Sequence, residues 1–264
     1  PAYNEEARLQ KSLHSVRNYL EERGLNFEVL VVDDGSTDRT SEVVTAFALH
    51  FPFRNGKVIL LRYETNRGKG YAVRYGMQQA RGRLLLLYDA DGATPIEEIE
   101  RLELAIQDGA DVAIGSRAIS SRATEVYTVW YRKVMGRIFN GLVNVLILPG
   151  IADTQCGFKL FTAHAAEKIF PLQTSERFSF DVEILFIARK LGFKISEIPV
   201  NWTNVPGSKV NLVGDSISMF RDILKFRYFS LINRYRLSRQ SQIDWKNRIP
   251  SPKQNLKLPN SIDV

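Results

Sequence analysis

Two carboxylate clusters stand directly after apolar runs: Leu30-Val31-Val32-Asp33-Asp34-Gly35-Ser36 and Leu84-Leu85-Leu86-Leu87-Tyr88-Asp89-Ala90-Asp91-Gly92. Burying acids at the carboxyl ends of strands is costly unless they hold something. In open α/β sheets those strand ends border the ligand crevice. Paired carboxylates there suit a hard divalent cation carrying a phosphorylated ligand. The D-x-D pair Asp89 and Asp91 can hold Mg²⁺ or Mn²⁺ across two phosphates of a nucleotide-linked substrate. The metal would act as Lewis acid and template as a diphosphate departs. A ligand-free turn with Asx-type hydrogen bonds is the other reading of the same residues. In the first cluster a carboxylate such as Asp34 can accept a base N–H, or simply form a turn and helix cap.

Further candidates lie along the chain. Asn66-Arg67-Gly68-Lys69-Gly70 leads into a helical pattern, and its glycines permit close backbone approach to a ligand. No glycine stands at 73 and no Gly-Lys-Ser/Thr follows, so the dinucleotide fingerprint and the P-loop both fail. Gly115-Ser116-Arg117 ends another strand, so Arg117 can clamp a phosphate at the same edge, with Arg132 as a second clamp. Either arginine can equally be a surface ion-pair partner. Asp181 and Glu183 open an apolar helix at a spacing that does not share one face, so one is expected to point inward and the other to cap. Cys156 has no evident base beside it, and His14, His50 and His164 lack zinc spacing.

The elements that must position these residues alternate. Helices are expected over 6–23, 37–51, 69–81 and 94–108, and strands over 27–32, 58–62, 83–88 and 111–115. Ser36 is a candidate cap for the second helix. Thr94-Pro95-Ile96-Glu97 has the cap, first-turn proline and acid of a helix start. This order predicts an α/β fold: a mostly parallel sheet with helices on both faces. Residues 129–148 then show a helical period with Arg132, Lys133 and Arg137 interleaved, and 217–231 place Phe220, Phe226 and Phe229 beside Arg221, Lys225 and Arg227. Each reads as a buried amphipathic helix or as one lying in a membrane interface. A catalytic domain over 1–212, a basic helical segment over 213–240 and an unstructured tail over 241–264 are the expected units.

The chain has 264 residues, 44% hydrophobic and 25% charged, which excludes a disordered protein. Its net charge of +7 is concentrated late: 221–248 carry eight basic residues and two acids. Phosphorylated substrates, anionic lipid and nucleic acid would all be attracted. Nucleic acid is disfavoured, because no aromatic-basic recognition motif is present and the acidic clusters would be left unexplained. A single cysteine permits no intrachain disulfide and points to a reducing compartment. Pro1-Ala2-Tyr3-Asn4-Glu5 reads as the end of a strand, so an upstream strand and an anchor are expected before it.

Together these stretches resemble the family 2 glycosyltransferases of the GT-A fold: Pro-Ala-Tyr-Asn-Glu, Val-Val-Asp-Asp-Gly-Ser and Asp-Ala-Asp occur in the family's order. Within the family the chain is most similar to the dolichyl-phosphate β-glucosyltransferases. That similarity rests on Asn66–Gly70, Asp89–Thr94, Asp153–Phe161, Asn201-Trp202-Thr203 and Gly207-Ser208-Lys209. It covers roughly residues 1–235.

The resemblance implies donor contacts at Pro1, Ala2, Tyr3, Glu5, Val32, Asp34, Lys69, Asp89, Ala90 and Asp91. It implies a metal on Asp91, with Asp89 as second ligand because Ala93 stands where relatives often place a polar one. It implies acceptor-phosphate contacts at Arg117, Arg132 and Lys209, with Asp89, Asp91, Arg117, Asp181 and Glu183 as the catalytic set. Asp181 and Glu183 enter as positioning or metal-shell residues before bases. The implied reaction moves glucose from UDP-glucose to a dolichyl or polyprenyl monophosphate, with inversion. The implied place is a membrane surface with the catalytic domain facing the cytosol, at the endoplasmic reticulum in a eukaryote or the plasma membrane in a prokaryote. GDP-mannose as donor and a soluble hydroxyl acceptor are the alternatives.

Overall fold

The structure, a computed structural model, describes residues 1–51, 53–119, 121, 123–127, 136, 140–205 and 212–235, without side chains over 212–218. Arg132, Lys209, the tail 241–264 and most of 128–139 lie outside the described residues.

Alternation dominates the first half. Helix α1 (Leu9–Glu22) turns Leu9, Leu13, Val16 and Tyr19 inward at helical spacing. Strand β1 (Phe27–Asp34), helix α2 (Thr40–His50), strand β2 (Gly56–Tyr63) and helix α3 (Lys69–Gln79) follow. Next come β3 (Leu84–Tyr88), a 3₁₀ turn (Ile96–Glu98) running into α4 (Ile99–Gln107), and β4 (Val112–Ser116). The second half adds β5 (Val126–Tyr127), β6 (Phe158–Thr162), α5 (Ala163–Ile169), α6 (Phe180–Lys190), β7 (Ile195–Pro199), β8 (Trp202–Thr203) and α7 (Leu212–Leu231).

Strands β1 and β2 pair in parallel, and Ala2 bridges the other edge of β1 through Ala2 N to Val32 O (2.7 Å) and Asp34 N to Ala2 O (2.8 Å). A second sheet runs β3-β6-β4-β7. β6 is antiparallel to both of its neighbours, while β4 and β7 are parallel. The short pair β5 and β8 is parallel. The α/β architecture with helices on both faces is therefore present, and β6 is its antiparallel member.

One face of β3 is buried and the other half-buried under helices, which is why it reads as an unbroken apolar run. Leu85 and Leu87 join a cluster with Val112, Ile114, Phe161 and residues of α3, α5 and α6. Leu84, Leu86 and Tyr88 face the opposite cluster with α1 and α4. The same parity on β6 sends Phe158 and Leu160 to the α1/α4 side, and Lys159 and Phe161 to the α3/α6 side.

Two expected caps are replaced. Ser36 does not cap α2: its hydroxyl accepts from Asn4 N (2.9 Å), and Asp38 accepts from Thr40 N (3.0 Å). Thr94 makes no cap bond either, because Pro95 remains extended (ψ 140°) and the chain enters α4 through the 3₁₀ turn.

Helix α7 is not a detached appendage. Ile223, Phe226, Phe229 and Tyr235 belong to the α3/α6 core cluster. Its other face exposes Phe220, Leu224, Tyr228 and Leu231. Among the described residues no helix is long and apolar enough to cross a membrane. Phe226 is fully buried, so Phe226→Ala is expected to lower unfolding free energy by about 3–5 kcal/mol in urea titration; a change under about 1 kcal/mol would contradict this docking.

Candidate active site

Strand parity carries Asp89 onto the α3/α6 side, one step beyond β3. There its backbone N–H donates to Gly157 O (3.1 Å), extending the β3–β6 ladder by one residue. Gly157 leaves the space that the Asp89 carboxylate fills: an added Cβ would stand 1.9 Å from Asp89 Oδ2. Lys69, the first residue of α3, sets its ammonium 2.7 Å from Asp89 Oδ1 and 2.9 Å from Oδ2. Burial opposes ionisation of Asp89, but Lys69 and then Lys159 outweigh it and hold this carboxyl below its usual range. Asp91 goes the other way. Burial, then the neighbouring Asp89 charge, push it up, although Oδ1 accepts from Ala93 N (3.1 Å).

Behind this pair lies a second, deeper one. Lys159 is fully buried on β6, and its ammonium donates to Asp181 Oδ1 (2.5 Å) and Cys156 O (2.6 Å). Burial pushes the Asp181 carboxyl up against the pull of Lys159 and Lys69. Asp89, Lys69, Asp181 and Lys159 thus form two acids and two bases of alternating sign. Burial likewise pushes the Cys156 thiol up to about 11, which leaves it a packing residue.

Neither acid of α6 caps it, contrary to the expectation that one would; the Ser179 end has no side-chain cap bond, and both acids face inward. The helix is buried almost all round, so residues on different faces are both enclosed. Glu183 accepts from Thr174 N (2.9 Å), Thr174 Oγ1 (2.6 Å), Ser175 N (2.7 Å) and Tyr235 OH (3.0 Å). It therefore fastens the 173–177 segment. That segment in turn seats the loop before α3. Glu176 O accepts from Tyr71 N (3.1 Å), and Gln173 Nε2 donates to Gly70 O (2.8 Å). Added Cβ atoms on Gly68 and Gly70 would lie 2.5 Å from Glu176 O and Ser175 O.

The loop's other anchor is Asp34. Its carboxylate accepts from Arg67 N (2.7 Å), Gly68 N (2.8 Å) and Asn66 Nδ2 (3.1 Å). Gly35, at φ +68°, supplies the left-handed turn that lets Asn66 N come so close. Pro1, Ala2 and Tyr3 run beside Val32–Asp34, while Glu5 N donates to Thr40 Oγ1 (2.8 Å) and Glu5 pairs with Arg8. Val32 is buried, with its carbonyl used by Ala2. Ala90, half-buried, touches the α1/α2 cluster.

Arg117 projects from the end of β4. Its fork is spent on buried Asp153, Nε to Oδ2 at 2.7 Å and Nη2 to Oδ1 at 2.9 Å, and its guanidinium lies 5.4 Å from the Trp202 ring centre. Burial disfavours the Arg117 charge, but Asp153 raises its pKa overall; Arg117 in turn overcomes burial to depress Asp153. About a third of the arginine side chain remains exposed at the sheet edge (31%).

Among the described residues no group of three His, Cys, Asp or Glu side chains converges on a point. The carboxylates that the end of β3 can offer a metal are Asp89 and Asp91. These two acids fit a divalent cation. Asp89 Oδ1 is buried without a hydrogen bond, the Asp89 charge pushes the Asp91 carboxyl up, and the remaining positions would be left to phosphate oxygens and water, as such cations prefer.

Residues 1–170 match the family described as Glycosyl transferase family 2. The chain belongs to this family. The match spans both carboxylate clusters, Lys69, Arg117 and Lys159. Relatives extend the similarity into α7. The dolichyl-phosphate β-glucosyltransferase of Homo sapiens is 39% identical over 255 residues, covering 92% of this chain and 78% of the relative. That of Saccharomyces cerevisiae is 38% identical over 251 residues (89% and 75%), and that of Dictyostelium discoideum 37% over 247 (90% and 75%). Among solved structures, glucosyl-3-phosphoglycerate synthase from Mycobacterium tuberculosis with UDP aligns at TM-score 0.60 and 16% identity, covering 89% of this chain and 78% of that one. The same enzyme with Mn²⁺, UDP-glucose and glycerol 3-phosphate aligns at 0.62 and 17% identity, covering 89% and 77%. These structures share the family's fold.

Gly157→Ala is expected to displace the Asp89 carboxylate. Nucleotide-sugar turnover should fall at least about 100-fold, the loss typical when a reacting group is misplaced by about 1 Å. Circular dichroism should stay unchanged, and full activity in this variant would remove Asp89 from the site.

Proposed function

We propose that the chain is an inverting glucosyltransferase that moves glucose from UDP-glucose to a dolichyl or polyprenyl monophosphate. One observation carries the choice of acceptor: Asp181 is locked to Lys159, and Glu183 is saturated by Thr174, Ser175 and Tyr235. A hydroxyl acceptor needs a general base within reach. A phosphate monoester, with its second pKa about 6, arrives already ionised and needs only steering. The relatives named for dolichyl phosphate, 37–40% identical along about nine-tenths of the chain, support the same acceptor and sugar.

In this reading the edge formed by residues 1–5, Val32 and Asp34 receives the nucleoside. Asp89 and Asp91 would hold Mg²⁺ or Mn²⁺. That ion, when bound, neutralises charge on the departing diphosphate. Lys69, delivered by its clamped loop, faces the same diphosphate. Arg117 is held in place by Asp153 and turns its exposed side toward the incoming lipid phosphate, with Arg132 and Lys209 as further cations. Asp181 and Glu183 position; neither takes a proton. Ionised acceptor oxygen attacks the anomeric carbon opposite UDP, the bond to the diphosphate breaks, and UDP leaves with the electron pair. The configuration is inverted to a β-linked glucosyl phosphate lipid.

The exposed face of α7 supports work at a membrane. Phe220, Leu224, Tyr228 and Leu231 alternate there with exposed Arg221, Lys225 and Arg227. Such cations attract anionic lipid by about 1 kcal/mol each.

Labelled UDP-glucose and polyprenyl phosphate with Mn²⁺ should give label in the organic phase. Asp91→Ala should cut that transfer by at least about 100-fold, in line with loss of a metal ligand or its partner. Label reaching only water-soluble acceptors would reject the reading. Separately, the protein should float with anionic vesicles, and R221E/K225E should release it; flotation untouched by charge reversal would refute the α7 contact.

A further inference from the structure

Lys69 is held unusually well for a lysine. Its backbone starts α3 between two glycines packed onto the carbonyls of Ser175 and Glu176, and the Asp34 carboxylate grips the N–H of Gly68. From this clamped base the ammonium reaches both oxygens of Asp89, at 2.7 and 2.9 Å. Asp181 and then Asp91 also act on Lys69, but neither has a hydrogen bond to it among the described contacts, and Asp181 has its own counter-ion in Lys159 at 2.5 Å. Asp89 is thus the principal partner of Lys69. The hydrogen bond goes to Oδ2 and leaves buried Oδ1 without one, so a divalent cation ligated by Oδ1 would stand beside the ammonium, where like charges that close repel strongly at a half-buried site.

Resting on the metal reading above, we propose that Lys69 is a built-in competitor for the cation at Asp89. By itself the protein holds divalent metal weakly. The metal enters together with a nucleoside diphosphate, whose anionic oxygens take over the Lys69 ammonium as Asp89 turns to the metal. Asp181 stays beside Lys69 and keeps the displaced ammonium from being stranded. The device selects the metal–diphosphate complex over free metal, and makes Lys69 a determinant of binding order as well as a donor contact.

Nucleotide-free Mn²⁺ binding, followed by electron paramagnetic resonance at about pH 8 where carboxylates are ionised, tests this directly. Lys69→Met should bind Mn²⁺ more tightly than the wild type by on the order of tenfold, the usual size of a coupling between two ligands of one group. Lys69→Gln, shorter and polar, should show the same gain should the methionine variant not fold. Lys69→Arg, which keeps the charge, should stay as weak as the wild type. Adding Asp89→Asn to Lys69→Met should abolish the gain. Mn²⁺ binding in the charge-removed variants no tighter than in the wild type overturns the competition. In that event, wild-type protein that still takes up Mn²⁺ with UDP leaves the metal reading standing. Wild-type protein that takes up none with UDP removes both.

Discussion

A half-buried carboxylate at the end of β3 has to be neutralised, and most of the site follows from that requirement. Removing one partner of a buried pair typically costs about 3–5 kcal/mol, because the other charge is left without solvent or counter-ion. Asp89 meets the requirement with Lys69, and Lys69 and Asp181 feel each other's charge. Asp181 in turn needs Lys159, which is fully buried. The result is an alternating row running from the site into the core on the α3/α6 side of the sheet. On the proposed function, such a row would hold the surroundings of the diphosphate fixed before any ligand arrives, which is the arrangement that stabilises developing charge most effectively.

Backbone geometry supports the row from two directions. Asp34, at the end of β1, ties the loop before α3 by three N–H groups, and the segment 173–177 closes over its glycines. Glu183 fastens that segment and also receives the hydroxyl of Tyr235, just beyond α7. Asp222 within α7 reaches Ser179, which meets Ser175 at 2.9 Å. The helix whose outer face is basic and apolar is therefore joined by hydrogen bonds to the wall that positions Lys69. The face proposed to meet lipid and the loop proposed to meet the diphosphate are thus linked through hydrogen bonds.

Much of this could be read from the residues alone, for physical reasons. The run Leu84–Tyr88 announced a strand enclosed between two layers of helices. The alternation of the first 115 residues was legible because each element carries its own period. What could not be read was coupling across the chain. Asp34 and Gly68 are 34 residues apart, and Arg117 and Asp153 are 36 apart, with no local signal to join them. Ser36 looked like a cap because its donor Asn4, 32 residues away, meets it only through folding. The split roles expected of Asp181 and Glu183 followed correct helix geometry, yet failed because α6 is enclosed on nearly every side. Lys159 offered one clue, a lone charge inside the apolar stretch Phe158–Phe161, which in a strand implies a buried partner.

The account depends on Asp89 and Asp91 gripping a cation that carries the diphosphate of the donor. Anomalous scattering from a crystal grown with UDP and Mn²⁺ measures this most directly. One strong manganese peak within coordinating distance of an Asp91 or Asp89 oxygen is expected, with the UDP phosphates beside it. UDP bound at the end of β3 with no manganese at either acid would contradict it.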